Sequence, residues 1–168
     1  MKINVLFFLI LLLFTANSYS QTANDYIDRG FKKYNSGDYQ GSISDCNKAL
    51  KINSNLVEAY SARALAKSGL ADYDGAIADL SKVIKLDPNP AEAYSHRGYI
   101  KFGISDFQCA ISDFNKVITL QPKNASAYYG RGLAKRSLEE NESGCLDFVK
   151  AKNLGYSKAN EAIKQFCK

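Results

Sequence analysis

A stretch of 34 residues, 91–124 (AEAYSHRGYIKFGISDFQCAISDFNKVITLQPKN), is copied in register on both sides of itself. The copies are 23–56, 57–90 and 125–158, so four units fill the chain from residue 23 to residue 158. A unit of this length cannot bury its apolar face alone, whereas three or more stacked copies share a continuous core. The repeat therefore decides the fold, and what one copy lacks its neighbours must supply.

The columns of the repeat state what each copy needs. Position four is Tyr26, Tyr60, Tyr94 and Tyr128. Position eight (Gly30, Ala64, Gly98, Gly132) and position twenty (Ser42, Ala76, Ala110, Gly144) are small. Such residues let the two helices of a hairpin approach closely, Gly98 against Ala110. Ile111, Phe114, Val117 and Leu120 fall three apart and make one apolar stripe on a helix. Pro88 and Pro122 stop that helix, and Asp38, Asp72 and Asp106 stand where its N-cap belongs. The pattern predicts eight helices, over 23–36, 39–52, 57–70, 73–87, 91–104, 107–120, 125–138 and 141–154. No strand signal and no long linker interrupts them, so 21–168 reads as one all-α domain.

The elements Tyr-x2-Arg-Gly, Gly-Asp-Tyr, Ala-Ile and Leu-x-Pro, present in whole or part in every copy, resemble the tetratricopeptide repeat (TPR) family. The resemblance implies a right-handed α-solenoid of four helix hairpins whose first helices line a concave groove. Copy one departs from the pattern with Ser54 in place of proline, and copy four with Asn141 in place of an aromatic. A degenerate last copy suits the end of a solenoid. Residues 158–168 read as a capping helix over copy four, with Ser157 as its cap and Ala159, Ala162, Ile163 and Phe166 on one face.

Every copy also carries four charges. These are Arg29, Arg63, Arg97 and Arg131 at position seven, and Lys33, Lys67, Lys101 and Lys135 at position eleven. Asp45, Asp79, Asp113 and Asp147 stand at position twenty-three, and Lys48, Lys82, Lys116 and Lys150 at position twenty-six. With an aspartate at fixed register, the column reads as a repeated ion pair tying the two helices of each hairpin, rather than a cationic ladder.

Residues 1–20 stand outside the repeat. Lys2 precedes an unbroken apolar run over 5–14, and small residues precede Gln21. This reads as a secretory signal peptide cut between Ser20 and Gln21, leaving an exported, periplasmic or secreted monomer. A retained anchor is the alternative, but the run is short of the roughly 20 residues that span a bilayer. Cutting there removes Lys2 and no acidic residue, so the net charge falls by one from +5. The lysines are spread over all copies, which argues against nucleic acid and for solubility with a mild preference for anionic surfaces.

Four cysteines in an exported chain raise the question of disulfides. Cys46 occupies a core column, and Cys109 lies two repeats away, too far for a bond that needs Cα atoms within about 7 Å. Cys145 and Cys167 fall on helices expected to pack together, and both a bridge and two free thiols fit that placement. The TPR resemblance favours a bridge, since similar exported bacterial proteins often end in such a pair. His96, the single histidine, has no partner for a metal site or for catalysis. No nucleophile with a base, no paired carboxylates and no cofactor loop is visible, so neither enzyme nor cofactor is expected.

The resemblance instead implies a scaffold that binds a protein or peptide in its groove. The groove columns hold Phe31, Tyr34, Leu65, Tyr99, Phe102, Tyr129 and Leu133, with His96 and Arg136 as polar members. The family's clamp for the carboxylate tail of chaperones is not matched: its slots hold Ile27, Phe31, Ala62, Glu92 and His96, or, one repeat on, Ser61, Leu65, His96, Ser126 and Gly130. The alternative role is an architectural subunit of a cell-envelope assembly, using the convex face or the ends.

Overall fold

The computed structural model describes residues 22–167; the expected signal peptide, 1–20, lies outside the described residues. Nine helices follow one another there: α1 (Ala23–Asn35), α2 (Tyr39–Ile52), α3 (Val57–Gly69), α4 (Tyr73–Leu86), α5 (Ala91–Gly103), α6 (Phe107–Leu120), α7 (Ala125–Ser137), α8 (Asn141–Asn153) and α9 (Ala159–Phe166). The first eight begin at the residues the repeat predicts and end within one residue of them. The side chains of Asp38, Asp72 and Asp106 accept the backbone N–H three residues on, as N-caps do. Two caps went unread in the sequence. Thr22 and Asp25 form a reciprocal capping box, and Asn124 accepts from Ala127.

Each first helix packs on its own second helix, and each second helix on the next first helix. First helices also touch one another (α1 with α3, α5 with α7), whereas no two second helices pack closely. The row therefore bends with α1, α3, α5 and α7 on the inside. The core runs through it as three clusters, centred on Ile27 and Ala49, on Leu80 and Val83, and on Phe114 and Val117.

The ion-pair column recurs in all four copies. Asp79 accepts from Arg63 Nε at 2.8 Å and Nη2 at 2.6 Å, and Lys67 Nζ sits 2.8 Å from the same carboxylate. Asp45, Asp113 and Asp147 repeat the arrangement, each nearly inaccessible to solvent. Every arginine of the column lies over the position-four tyrosine of its own helix, 5.0–5.5 Å from the ring centre. The third guanidinium nitrogen crosses to the preceding repeat: Arg63 Nη1 donates to Asn47, Arg97 to Ser81 and Arg131 to Asn115. The position-twenty-six lysines do not belong to this column as expected. Lys48 approaches Asp45 at 3.5 Å, but Lys82, Lys116 and Lys150 form no ion pair among the described residues. Arginine already takes both oxygens of the buried carboxylate, and the lysine at position eleven shares one of them.

The ends differ from the middle. Positions three and ten are covered at repeat junctions: Ala59 and Ala66, Ala93, and Ala127 and Ala134 are buried, and Ile100 is half-buried. In copy one they are Asp25 and Lys32, both exposed. At the other end α9 covers α8 and is tied to it by the Cys145–Cys167 disulfide (Cα–Cα 5.7 Å). Ala159 and Ala162 are buried there, but Ser157 does not cap the helix; its N-cap position is Lys158, with no side-chain bond. Cys46 is buried and free, and Cys109 is exposed and free.

Close approach at position eight has a different partner from the one expected. A Cβ on Gly98 would lie 3.1 Å from the Phe114 ring rather than against Ala110, and one on Gly130 would meet the same ring at 2.6 Å. Phe114, wholly buried, thus needs glycine on both sides, because a ring reaches further than the alanine one turn before it. Gly98→Leu is expected to lower stability by about 1–3 kcal/mol or more, read as a fall in the thermal midpoint. A second expectation concerns acid. Burial pushes the Asp45 carboxyl up, but Arg29 and Lys33 outweigh it and hold it at about 2. A carboxyl lowered by folding contributes its stability fully above about pH 4 and loses it as the pH falls through the folded value. The thermal midpoint should drop across that window, and drop less in Asp45→Asn.

Candidate functional site

The inner face of the solenoid is not one continuous aromatic strip. Tyr34 packs on Tyr39 of its own hairpin (ring centres 5.6 Å apart), and Phe102 on Phe107 in the same way (5.5 Å). Position twelve thus supplies a ring for position seventeen, and both side chains are half-buried structural contacts. Copy two breaks this pairing, because position twelve there is Ser68. Tyr73, left without its ring partner, is 41 % exposed.

A pocket of about 170 Å³ opens in that copy, between α3 and α5. Its walls are Ala64, Leu65 and Ser68 from α3, Leu80 from α4, and His96, Tyr99 and Ile100 from α5, almost wholly apolar. These two first helices touch least of the three neighbouring pairs. Of the residues expected at the site, Leu65, His96 and Tyr99 meet here. Ala64, Ser68, Leu80 and Ile100 were missed, although the small Ser68 in a column of Tyr34, Phe102 and Arg136 was a visible signal.

Tyr99 is held in place rather than free to move. Its ring meets Phe114 edge-on at 5.0 Å, and its hydroxyl donates to the Ser126 carbonyl at 2.9 Å, bridging α5 to α7. Burial first, and the nearby Tyr156 second, push its phenol up to about 12. Tyr129 lies between Phe148 and Tyr156, with ring centres 5.6 and 4.8 Å away, and burial raises its phenol as well. Arg136 is not an open groove cation. Its guanidinium lies 4.0 Å from the Phe166 ring centre and donates to the Phe166 carbonyl, so the tail helix has recruited it. With Phe102, Leu133 and Phe166 it lines a second, shallower depression. Phe31 packs on the Ile27 cluster at the far end of the row.

Charge on this face is acidic. The carboxylates in groove columns are Asp28, Glu58 and Glu92, all exposed. Among the described residues no group of His, Cys, Asp and Glu side chains could hold a metal ion.

A stack of helix hairpins with a recessed inner face defines an α-solenoid of the repeat-scaffold class. The family comparisons agree with that assignment. Residues 72–104 match a profile described as TPR repeat, and residues 91–124 one described as tetratricopeptide repeat. A crystal structure of MamA protein is 31 % identical, with TM-score 0.78, covering 84 % of this chain and 78 % of that one. MamA from Desulfovibrio magneticus RS-1 is 22 % identical (TM-score 0.75; 86 % and 93 % covered), a likeness of fold. The first TPR of Spaghetti (RPAP3), bound in its structure to an HSP90 peptide, is 25 % identical (TM-score 0.67; 71 % and 95 % covered). A search of curated protein sequences finds no match. The chain belongs to the tetratricopeptide repeat family.

Removing the Tyr99 hydroxyl should separate its bridging role from its ring. Tyr99→Phe is expected to cost about 1 kcal/mol in stability, the usual net value of one hydrogen bond. An alkaline absorbance titration of the native protein should show one phenol ionising near 12 that disappears in this variant.

Proposed function

We propose that the protein is a non-catalytic protein-interaction scaffold and that its inner face holds an extended or helical segment of a partner protein. The observation that carries this reading is the apolar pocket between α3 and α5, opened where Ser68 replaces a ring. Its volume suits one aliphatic or aromatic side chain, since a cavity of about 150 Å³ accepts benzene. Tyr99, held by Ser126 and Phe114, supplies a fixed rim with His96 beside it, and aromatic residues are favoured anchors at interfaces. The buried carboxylates are engaged by arginine and lysine in every repeat, which supports a structural rather than catalytic use of them.

The HSP90 peptide held by that relative is SRMEEVD, an acidic ligand. Here Asp28, Glu58 and Glu92 occupy groove columns and Arg136 is taken by Phe166, so a neutral or basic segment fits better. Export fits the Cys145–Cys167 bridge, because disulfides persist in oxidising compartments. No helix among the described residues is long and apolar enough to cross a membrane. A monomer fits the two finished ends, polar Asp25 and Lys32 at one and α9 at the other. An architectural subunit that stacks through its ends is the poorer reading for the same reason.

Ser68→Phe tests the proposal. The substitution copies what copies one and three already carry, so the fold should stay intact and Tyr73 should gain a ring partner. Capture of the partner by the intact protein from its own extracytoplasmic fraction should fall by about tenfold or more. Unchanged capture by a folded Ser68→Phe variant would remove the pocket from consideration.

A further inference from the structure

The outer face of the second helices has a composition that the inner-face reading does not use. Positions 22, 25, 26, 29 and 30 of each repeat are spaced i, i+3, i+4, i+7 and i+8, and so form one stripe on one side of a helix. Across α2, α4, α6 and α8 nearly all these residues are exposed, and none is a carboxylate. Six are lysines: Lys48, Lys51, Lys82, Lys85, Lys116 and Lys150. Lys48 alone has a carboxylate within ion-pair distance among the described residues. Asp87, the acid nearest Lys85 in the chain, is occupied by the Asn89 N–H.

Exposed aliphatic side chains are interleaved with these charges. At position thirty Ile52 and Leu86 follow lysines and Leu120 follows Thr119; Leu120, expected on the apolar core stripe, is instead exposed. Leu146 and Val149 replace small or polar residues on α8, Leu146 being 72 % exposed. Lysine in a last turn is favoured by the helix dipole. The dipole gives no reason for aliphatic neighbours in water, and a lone solvated face has no use for them.

We infer that this convex stripe docks the protein on an anionic phospholipid bilayer, lysines against the headgroups and aliphatic tips entering the interface. The charge is complementary, and each lysine close to such a surface contributes about fivefold in affinity. Duplex or single-stranded nucleic acid fits less well: the stripe has no aromatic for stacking, and every arginine of the repeat column is engaged inside. The recurrence of the same charges in successive repeats suits a laterally uniform surface rather than a compact ligand. The inference is independent of the pocket, which opens on the opposite side.

Co-sedimentation of the full chain with vesicles tests it, comparing phosphatidylcholine alone with phosphatidylcholine mixed with phosphatidylglycerol. The apolar run at 5–14 contributes to both, so the quantity read is the ratio of the two affinities. That ratio should exceed about tenfold at low salt and collapse in Lys82→Gln/Lys85→Gln/Lys116→Gln, which keeps helix-forming residues and breaks no ion pair. Lys116→Gln alone should lose about fivefold and keeps the test readable if the triple variant is unstable. Lys32→Gln/Lys158→Gln/Lys164→Gln, with the same charge removed elsewhere, should retain most of the ratio. A wild-type ratio near one would overturn the inference. So would equal loss in the two triple variants, or a convex variant that loses binding to duplex DNA and not to vesicles.

Discussion

A buried aspartate on every second helix takes two nitrogens of the arginine sixteen residues before it, and the third nitrogen of that arginine reaches back to the preceding repeat. One guanidinium thus fixes both the register within a hairpin and the register between hairpins. Its planar fork makes this possible; lysine, a point charge, could neutralise the carboxylate but not orient it. Net stability from such a buried pair is modest, since desolvation of both ions offsets much of the attraction. Loss of one partner is another matter, because it strands a charge in the interior at about 3–5 kcal/mol. The column therefore acts more as a specification of geometry than as a source of stability.

The same network shows why the array stops where it does. Arg29 has no preceding repeat among the described residues, and its side chain is 37 % exposed against 17–18 % for its three counterparts. In copy four the acceptor at position twenty-five is gone, replaced by Val149, and no fifth arginine is there to need it. The tail helix supplies an apolar cover instead, held by a disulfide and by Arg136 over Phe166. Two different solutions, one polar and one covalently fastened, finish the two edges.

Periodicity made the helices, the ion pairs and most of the core legible in the sequence, because residues repeated in register must meet equivalent neighbours. What stayed hidden depends on reach and on pairing. Phe114 extends past Ala110 to the glycine of the next repeat, a contact that column-by-column reading cannot measure. Tyr34 and Phe102 sit in groove columns, yet their rings turn to Tyr39 and Phe107, so positions expected to bind a partner are packing positions. Arg136 is claimed by a tail outside the repeat. The position-twenty-six lysines look like members of the ion pair only until the stoichiometry of one carboxylate is considered.

Those departures separate two kinds of surface. Where the four copies agree, as in Lys48, Lys82, Lys116 and Lys150 of the outer stripe, the molecule offers the same charge at every step of the solenoid, and only a partner uniform over that length can use all of it. Where one copy differs, as with Ser68 among Tyr34, Phe102 and Arg136, the molecule offers a single feature at a single place. The core tolerates the difference because position twelve lies off the buried seam, and the missing ring leaves a space instead of a strain. On the reading proposed here selectivity arises in this way: the constant columns hold the array together, and an exception in a column off the buried seam leaves room for a particular side chain.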